Sequence, residues 1–186
     1  MSGSSFVRLN NGKRSILFSG DIGRSNDLVL AAPMPMDGAD YLVVESIYGD
    51  RLHQQTDVLL ELGHAIKRTA ARGGVVVIPA FAVGRAQSLL YCIHLIKAQG
   101  GIHGDLPVYL NSPMAANATQ VYERHRAELR LTAAQCRAMA HTAQIVHTAE
   151  ESRLLNARRG PMPGQTVVVY PPAALKDGRK VRVRRP

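Results

Sequence analysis

The sequence predicts an α/β protein with a mostly parallel sheet. Strand-like and helix-like segments alternate along the middle of the chain, which is the order typical of this class. The run Val75–Ile78 is continuously β-branched and apolar, as expected of a strand covered on both faces. Pairs of glycines close the helical segments at 73–74 and 100–101. The 186 residues suffice for one domain or parts of two.

Two short strands are predicted near the start, over 14–18 and 41–45. A glycine-flanked turn containing Asp21 and Arg24 follows the first strand, and Glu45 ends the second. Chemistry in α/β proteins is usually placed just beyond strand ends, so both carboxylates are candidates for a site at one sheet edge. Taken alone, Asp21 is equally typical of a turn aspartate that caps its own backbone. Glu45 is equally typical of an acid paired with Arg24 or Arg51.

The middle of the chain predicts two amphipathic helices. The first begins at the capping pair Thr56–Asp57 and carries Val58, Leu62, Ile66 and Thr69 on one face. The second follows Gly84, with a buried stripe formed by Ala86, Leu89, Leu90, Ile93 and Ile96.

A short strand over 107–110 precedes a third helix that opens at Ser112 and Pro113 and continues through Arg126. Further helices over 132–140 and 150–157 and strands over 144–146 and 166–170 complete the prediction.

The formal net charge of +9 is unevenly distributed. Six basic residues and one acidic residue lie between Lys176 and Pro186, so this basic tail carries more than half of the excess. A solvated tail and an RNA-binding tail both fit. No apolar run approaches the roughly 20 residues of a membrane-spanning helix, and no secretory signal is recognisable. Cys92 and Cys136 are expected to be free, buried thiols of a cytoplasmic protein.

The seven histidines show no metal-binding spacing, so they predict no zinc site by themselves. His64 and His94 lie near the apolar helix stripes and are expected in the core or at its boundary. The helix start at Gly84 and Arg85 offers backbone amides to a phosphate, or is a purely structural turn. Ser112 is the expected N-cap of the third helix.

Four segments together resemble the β-CASP branch of the metallo-β-lactamase superfamily, a group of RNA-processing nucleases. They occur in the family's order and approximate spacing, and they are Phe18–Arg24, Val44–Arg51, Pro79–Gln87 and Leu110–Ala115. The resemblance implies a partial αββα sandwich of the metallo-β-lactamase type, followed by a three-layer β-CASP unit with a mostly parallel sheet. It also implies residues 1–50 as part of the metallo-β-lactamase core, 51–160 as the β-CASP domain and 161–186 as a divergent proline-rich and basic tail.

The resemblance assigns roles to several residues. The aspartate matching Asp21 bridges two zinc ions in the family, and the acid matching Glu45 lies beside the catalytic centre. Paired metals lower the pKa of a bound water and so generate a hydroxide nucleophile. Arg24, Gly84, Arg85 and Ser112 are implied as residues that contact RNA. Asn111 stands where the family usually has an aspartate.

The family's HxHxDH ligand motif has no match in this sequence. We therefore expect a portion of a zinc-dependent ribonuclease that is inactive as the isolated chain, because one carboxylate cannot replace four ligands. A truncated nuclease and a divergent reading frame both fit. Two alternatives stay open: a non-catalytic RNA-binding module that uses Arg24, Arg85 and the basic tail, and a nucleotide-binding α/β domain. Homo-oligomerisation is also left open.

Overall fold

The computed structural model describes residues 4–47, 49, 50, 52, 56–157 and 166–170, the last range for its backbone alone. Seven strands and five α-helices are assigned within these ranges. The basic tail, Tyr48, Arg51 and His53 lie outside the described residues. No helix in the described ranges is long and apolar enough to cross a bilayer.

The first sheet has three strands in the order β1-β2-β3, formed by Val7–Asn10, Ser15–Phe18 and Tyr41–Val43. β1 and β2 are antiparallel, whereas β2 and β3 are parallel. β1 was not predicted, although Asn11-Gly12 between β1 and β2 is a strong hairpin signal. Gly12 has φ +84°, and the Asn11 side chain accepts hydrogen bonds from the amides of Lys13 and Arg14. These contacts close the hairpin.

The second sheet has four strands, all parallel, in the order β4-β7-β5-β6. They are β4 (Val75–Pro79), β5 (Val108–Leu110), β6 (Gln144–Ile145) and β7 (Thr166–Tyr170). The predictions of an α/β class and a mostly parallel sheet are therefore confirmed. β7 lies C-terminal to the predicted domain boundary at residue 160, yet its backbone pairs with both β4 and β5. The domain boundaries at 50 and 160 stay predictions.

The helices are α1 (Val58–Ala70), α2 (Arg85–Ala98), α3 (Pro113–Arg124), α4 (Ala133–Ala140) and α5 (Ala149–Ala157), with a 3₁₀ turn at Arg126–Glu128. Asp57 caps α1 by accepting hydrogen bonds from the amides of Leu59 and Leu60. Ser112 caps α3 through the amide of Ala115, and Thr132 caps α4 through that of Gln135. All three capping predictions are confirmed, whereas α3 ends two residues before the predicted Arg126.

The core lies around α2, in the part of the molecule formed by the second sheet and its helices, which we call the second unit. Its most buried side chains include Ile66, Leu90, Ile93, Leu110 and Met139, each no more than 1% exposed. Val29, from the segment that follows the first sheet, joins this core, and its carbonyl accepts a hydrogen bond from the amide of Arg130 at 2.9 Å. This contact ties the N-terminal segment to the second unit.

Three burial predictions are wrong. Val58 is 60% exposed because α1 turns Gly63, Ile66 and Ala70 towards the core instead. Val75 and Val77 are about half exposed, so β4 is covered on one face only. His64 is exposed, whereas His94 is half-buried with its ring stacked on Tyr91. In each case the packing partner, which local periodicity does not identify, decides which face is buried.

Cys92 on α2 and Cys136 on α4 are buried, free thiols, as predicted. Burial raises the pKa of Cys92 to about 11, with a further contribution from the charge of Asp27. A thiol with such a pKa carries almost no thiolate at neutral pH, and it therefore behaves as a small apolar core residue.

Candidate active-site edge

The two predicted acids follow neighbouring parallel strands of the first sheet. β2 and β3 are in register at Phe18 and Val43, so their carboxyl ends meet at the same edge. Asp21 lies in the turn directly after β2, and Glu45 lies two residues beyond β3. The structure thus brings the two acids to one edge, as the sequence predicted, and both are exposed there.

Ser19 joins the two segments that carry the acids. Its amide donates a hydrogen bond to the carbonyl of Val43 at 2.9 Å. Its hydroxyl oxygen accepts a hydrogen bond from the amide of Glu45 at 3.0 Å. A hydroxyl side chain at position 19 therefore fixes where Glu45 leaves the sheet. Ser19 was not predicted as a functional residue, although it lies within one of the matching segments.

Gly20 sets the geometry of the turn that presents Asp21. Its φ of +52° lies in the left-handed region that favours glycine. A Cβ at this position would lie 2.5 Å from the backbone oxygen of Ser5. Both the dihedral angle and the close approach therefore require glycine, and the turn is held against the segment that leads into β1.

The carboxylate of Glu45 accepts a hydrogen bond from the amide of Ile47. This contact holds the side chain over its own loop and leaves the exposed carboxylate open to solvent. Arg24 is also exposed, in the loop beyond Asp21. The alternative pairing of Glu45 with Arg51 stays a prediction, because Arg51 lies outside the described residues.

The described part of the edge does not contain a complete metal site. Among the described residues, no group of three or more histidine, cysteine, aspartate or glutamate side chains is arranged to hold a metal ion. A zinc site normally needs four ligands. Asp21 fits the role of one carboxylate ligand, but the residues present do not by themselves fit a zinc pair.

The start of α2 is organised by Gln87, which is fully buried. Its Oε1 accepts a hydrogen bond from the amide of Gly84 at 2.8 Å. Its Nε2 donates to the carbonyls of Ala82 and Ala115 and to the hydroxyl of Thr119, at 3.0 to 3.3 Å. This one side chain links the β4–α2 loop to α3. It lies in a matching segment, but no local sequence pattern predicted a role for it.

The amides at the start of α2 are largely used within the chain. Besides the Gly84 amide, that of Arg85 donates to the carbonyl of Val83 and that of Ala86 to the carbonyl of Phe81. These contacts do not favour the phosphate hypothesis for the α2 amides. The side chain of Arg85 is exposed, and its contact with RNA stays a prediction.

Ser112 is 3% exposed, and its hydroxyl accepts the hydrogen bond that caps α3. The Ser112 hydroxyl is thus already engaged in capping α3, and a contact between Ser112 and RNA also stays a prediction. The neighbouring Asn111 is buried, and its Nδ2 has no hydrogen-bond partner among the described residues.

Comparison with known proteins identifies the class. Residues 86–184 match the Beta-Casp domain family, and this match covers more than half of the chain. The chain belongs to this family, the β-CASP branch of the metallo-β-lactamase superfamily, whose named relatives are RNA nucleases and RNA-processing factors.

Three relatives illustrate the match. Ribonuclease TTHA0252 of Thermus thermophilus is 33% identical over 96% of this chain and 42% of its own length. Cleavage and polyadenylation specificity factor subunit 3-I of Arabidopsis thaliana is 38% identical over 59% of this chain and 16% of its own length. An RNase J-like protein of Methanocaldococcus jannaschii is 34% identical over 64% of this chain and 29% of its own length. The chain thus spans less than half the length of each.

Proposed function

We propose that the edge formed by Asp21 and Glu45 is part of the catalytic site of a zinc-dependent ribonuclease, which hydrolyses RNA phosphodiester bonds. The observation that carries the proposal is the placement of both exposed acids at the ends of two adjacent, in-register parallel strands joined through Ser19. The names of the relatives, which include ribonucleases and endoribonucleases, support RNA as the substrate.

The incomplete ligand set determines what the chain can do. Asp21 contributes one carboxylate, and the remaining ligands for two zinc ions come from protein outside residues 1–186. Dehydration of a divalent ion is not offset by a single carboxylate, so the isolated chain binds zinc weakly. Glu45 orients a neighbouring group or moves a proton beside the reacting phosphate.

The exposure of the first sheet supports a larger sandwich. Both faces of β3 are exposed. Leu42, on one face, is 58% exposed, and Tyr41 and Val43, on the other face, are about half exposed. Apolar strands open on both faces are rare in a completed fold. We take this sheet as one edge of a metallo-β-lactamase αββα sandwich, and the second sheet with its helices as the three-layer β-CASP unit.

The first test uses the chain as it is. Purified 186-residue protein, labelled single-stranded RNA and added Zn²⁺ are expected to give no more cleavage than a buffer blank, because the ligand set is incomplete. Cleavage that depends on Zn²⁺ and is absent in the presence of a chelator would overturn the proposal that ligands from other protein are needed.

A chimera tests the roles of the two acids. The matching segment of Ribonuclease TTHA0252 is replaced by this chain, and RNA cleavage and bound zinc are measured. Asp21→Asn is expected to lower cleavage at least 100-fold and to reduce bound zinc, because a metal ligand is lost. Glu45→Gln is expected to lower cleavage by about 10²–10⁴-fold, as for loss of a general acid or base, with zinc retained.

The matched control is Asp37→Asn, an exposed acid away from the edge, which should leave cleavage unchanged. An active chimera in which Asp21→Asn keeps full activity would remove Asp21 from the site. The non-catalytic RNA-binding module is the second candidate, and it predicts that the chimera binds RNA without cleaving it.

A further inference from the structure

An open cavity of about 380 Å³ lies between the second half of α3, the 3₁₀ turn and α4. We call it the arginine cavity, because Arg124, Arg126 and Arg137 line it together with Gln120, Glu123 and, at its floor, Cys136. Cys136 is 1% exposed, whereas the three arginines are exposed. The cavity thus has a dry floor and a strongly basic rim.

The positive charge of the cavity is not neutralised within the described part of the chain. Three guanidinium groups face one carboxylate, that of Glu123. Among the described residues, no guanidinium group of the three arginines forms an ion pair or a hydrogen bond: the ion pairs there involve His103 and His125, and the arginine side chains that donate hydrogen bonds are those of Arg8, Arg14 and Arg130.

The pKa of the Cys136 thiol reflects the same convergence of charges. Burial raises the pKa, the charge of Glu123 raises it further, and the charges of Arg126 and Arg137 lower it. The two guanidinium groups, from separate elements, therefore act on the same buried sulfur from within electrostatic range.

Helix dipoles explain only part of the cluster. Arg124 and Arg137 lie in the last turns of α3 and α4, where a cation complements a partial charge of roughly −0.5 per helix end. Two helix ends and Glu123 together oppose about two of the three positive charges. Arg126 lies in the 3₁₀ turn beyond α3, so the dipole of α3 does not account for it.

The chemistry of the rim selects a phosphate. Guanidinium groups bind phosphate oxygens through paired, charge-assisted hydrogen bonds, and the cavity volume falls in the range of small-ligand sites. No aromatic side chain is among the lining residues, so the cavity offers no aromatic platform for a base. The cavity is therefore suited to the backbone of a nucleic acid and not to its sequence.

We infer that the arginine cavity binds a backbone phosphate of the RNA strand. The α3 residues that line the cavity, Gln120 to Arg124, follow Ser112 by 8 to 12 residues, so at 1.5 Å per residue they lie about 12–18 Å along the helix from the carboxyl edge of the second sheet. The inference rests on the proposed function, because it takes RNA as the ligand. It adds an anchoring site that holds the strand independently of base identity.

The test measures binding of a labelled, unstructured 20-nucleotide RNA to the full chain by fluorescence anisotropy between 50 and 200 mM salt. The cavity variant is Arg124→Gln, Arg126→Gln and Arg137→Gln combined. The control variant is Arg68→Gln, Arg72→Gln and Arg153→Gln, which removes the same charge from exposed positions elsewhere. Circular dichroism checks that both remain folded.

The cavity variant is expected to bind at least tenfold more weakly at 50 mM salt. Its slope of log affinity against log salt should fall by about 1 to 2, because each lost contact to a single strand contributes roughly 0.7. The control variant should remain within threefold of wild type. Glu123→Gln removes the negative charge from the cavity and should tighten RNA binding about twofold to threefold. Glu61→Gln on α1 is its control and should not change RNA binding.

Four outcomes would overturn the inference. Equal losses in the cavity and control variants would show that only total charge matters, and no loss in either would remove the cavity from RNA binding while leaving the ribonuclease proposal intact. Displacement of RNA by polyglutamate as readily as by unlabelled RNA would assign the cavity to an acidic protein. A wild-type chain that binds no RNA at 50 mM salt would overturn this inference alone, because RNA cleavage by the chimera tests the proposed function separately.

Discussion

The two sheets of this protein differ in what covers them. The first sheet carries the acids but buries little: its side chains of low exposure are Ser15 and Leu17, and β1 and β3 are exposed along their whole length. The second sheet packs against helices and shares a core with them, but it carries none of the acids at the edge. The half with the candidate catalytic acids is thus the half without its own core.

This contrast has a physical consequence for stability. Hydrophobic burial is the main favourable contribution to folding, so most of the folding free energy resides in the second unit. The first sheet is held by its ladder of hydrogen bonds, by Asp40 on Ser15 and by Val29 inserted in the neighbouring core. Its apolar faces gain stability only when further protein covers them.

The difference in burial between the two sheets is tested most directly by truncating one leucine in the core of the second unit and one in the first sheet. Leu90→Ala on α2 empties a fully buried position and is expected to lower the free energy of unfolding by about 2–5 kcal/mol. Leu42→Ala on β3, which is 58% exposed, should change it by less than about 0.5 kcal/mol. Denaturant unfolding monitored by circular dichroism measures both, and equal losses would contradict the assignment of the core to the second unit.

A second prediction concerns the polar link inside the second unit. Gln87→Ala removes four hydrogen bonds and leaves the Gly84 amide and the Thr119 hydroxyl without this partner. We expect a loss of about 2–3 kcal/mol, because buried polar groups left unpaired are costly. Gln99→Ala, at the exposed end of the same helix, is the control and should be near neutral. A neutral Gln87→Ala would mean that the β4–α2 loop is held by other contacts.

The smallest expected effect lies in the first sheet and depends on pH. The Ser15 amide and hydroxyl donate to Asp40 at 2.7 and 3.0 Å, and these bonds hold the pKa of Asp40 below its ordinary value. The carboxylate therefore contributes stability above pH of about 4, and this contribution is lost as the pH falls through the lowered pKa. NMR titration of the carboxyl group measures it. Ser15→Ala should move the pKa upward, and an Asp40 pKa at or above about 4 in the wild type would contradict the contact.

Local signals predicted much of this structure. Caps at Asp57, Ser112 and Thr132 were recognisable because a short polar side chain precedes an apolar periodic segment. The common edge of Asp21 and Glu45 followed from the two strand ends, because adjacent parallel strands bring their carboxyl ends together.

Features that depend on distant partners were not predicted. Gln87 looks like an ordinary helix-surface residue, and its burial follows only from the approach of α3. The exposure of Val58 and Val77 likewise depends on which neighbours are present. The position of β7 between β4 and β5 is a non-local pairing that no local pattern specifies.

The central place of β7 also bears on the order of synthesis. Ile78 of β4 pairs with Val169 of β7, and a ribosome adding roughly 5–20 residues per second needs on the order of ten seconds to make the stretch between them. For the later part of that interval, once β5 has also been made, β4 and β5 both have unpaired edges that face an empty slot. Nascent chains of this protein therefore pass through a stage in which another strand can occupy that slot, and this stage is where we expect misassembly and chaperone engagement to concentrate.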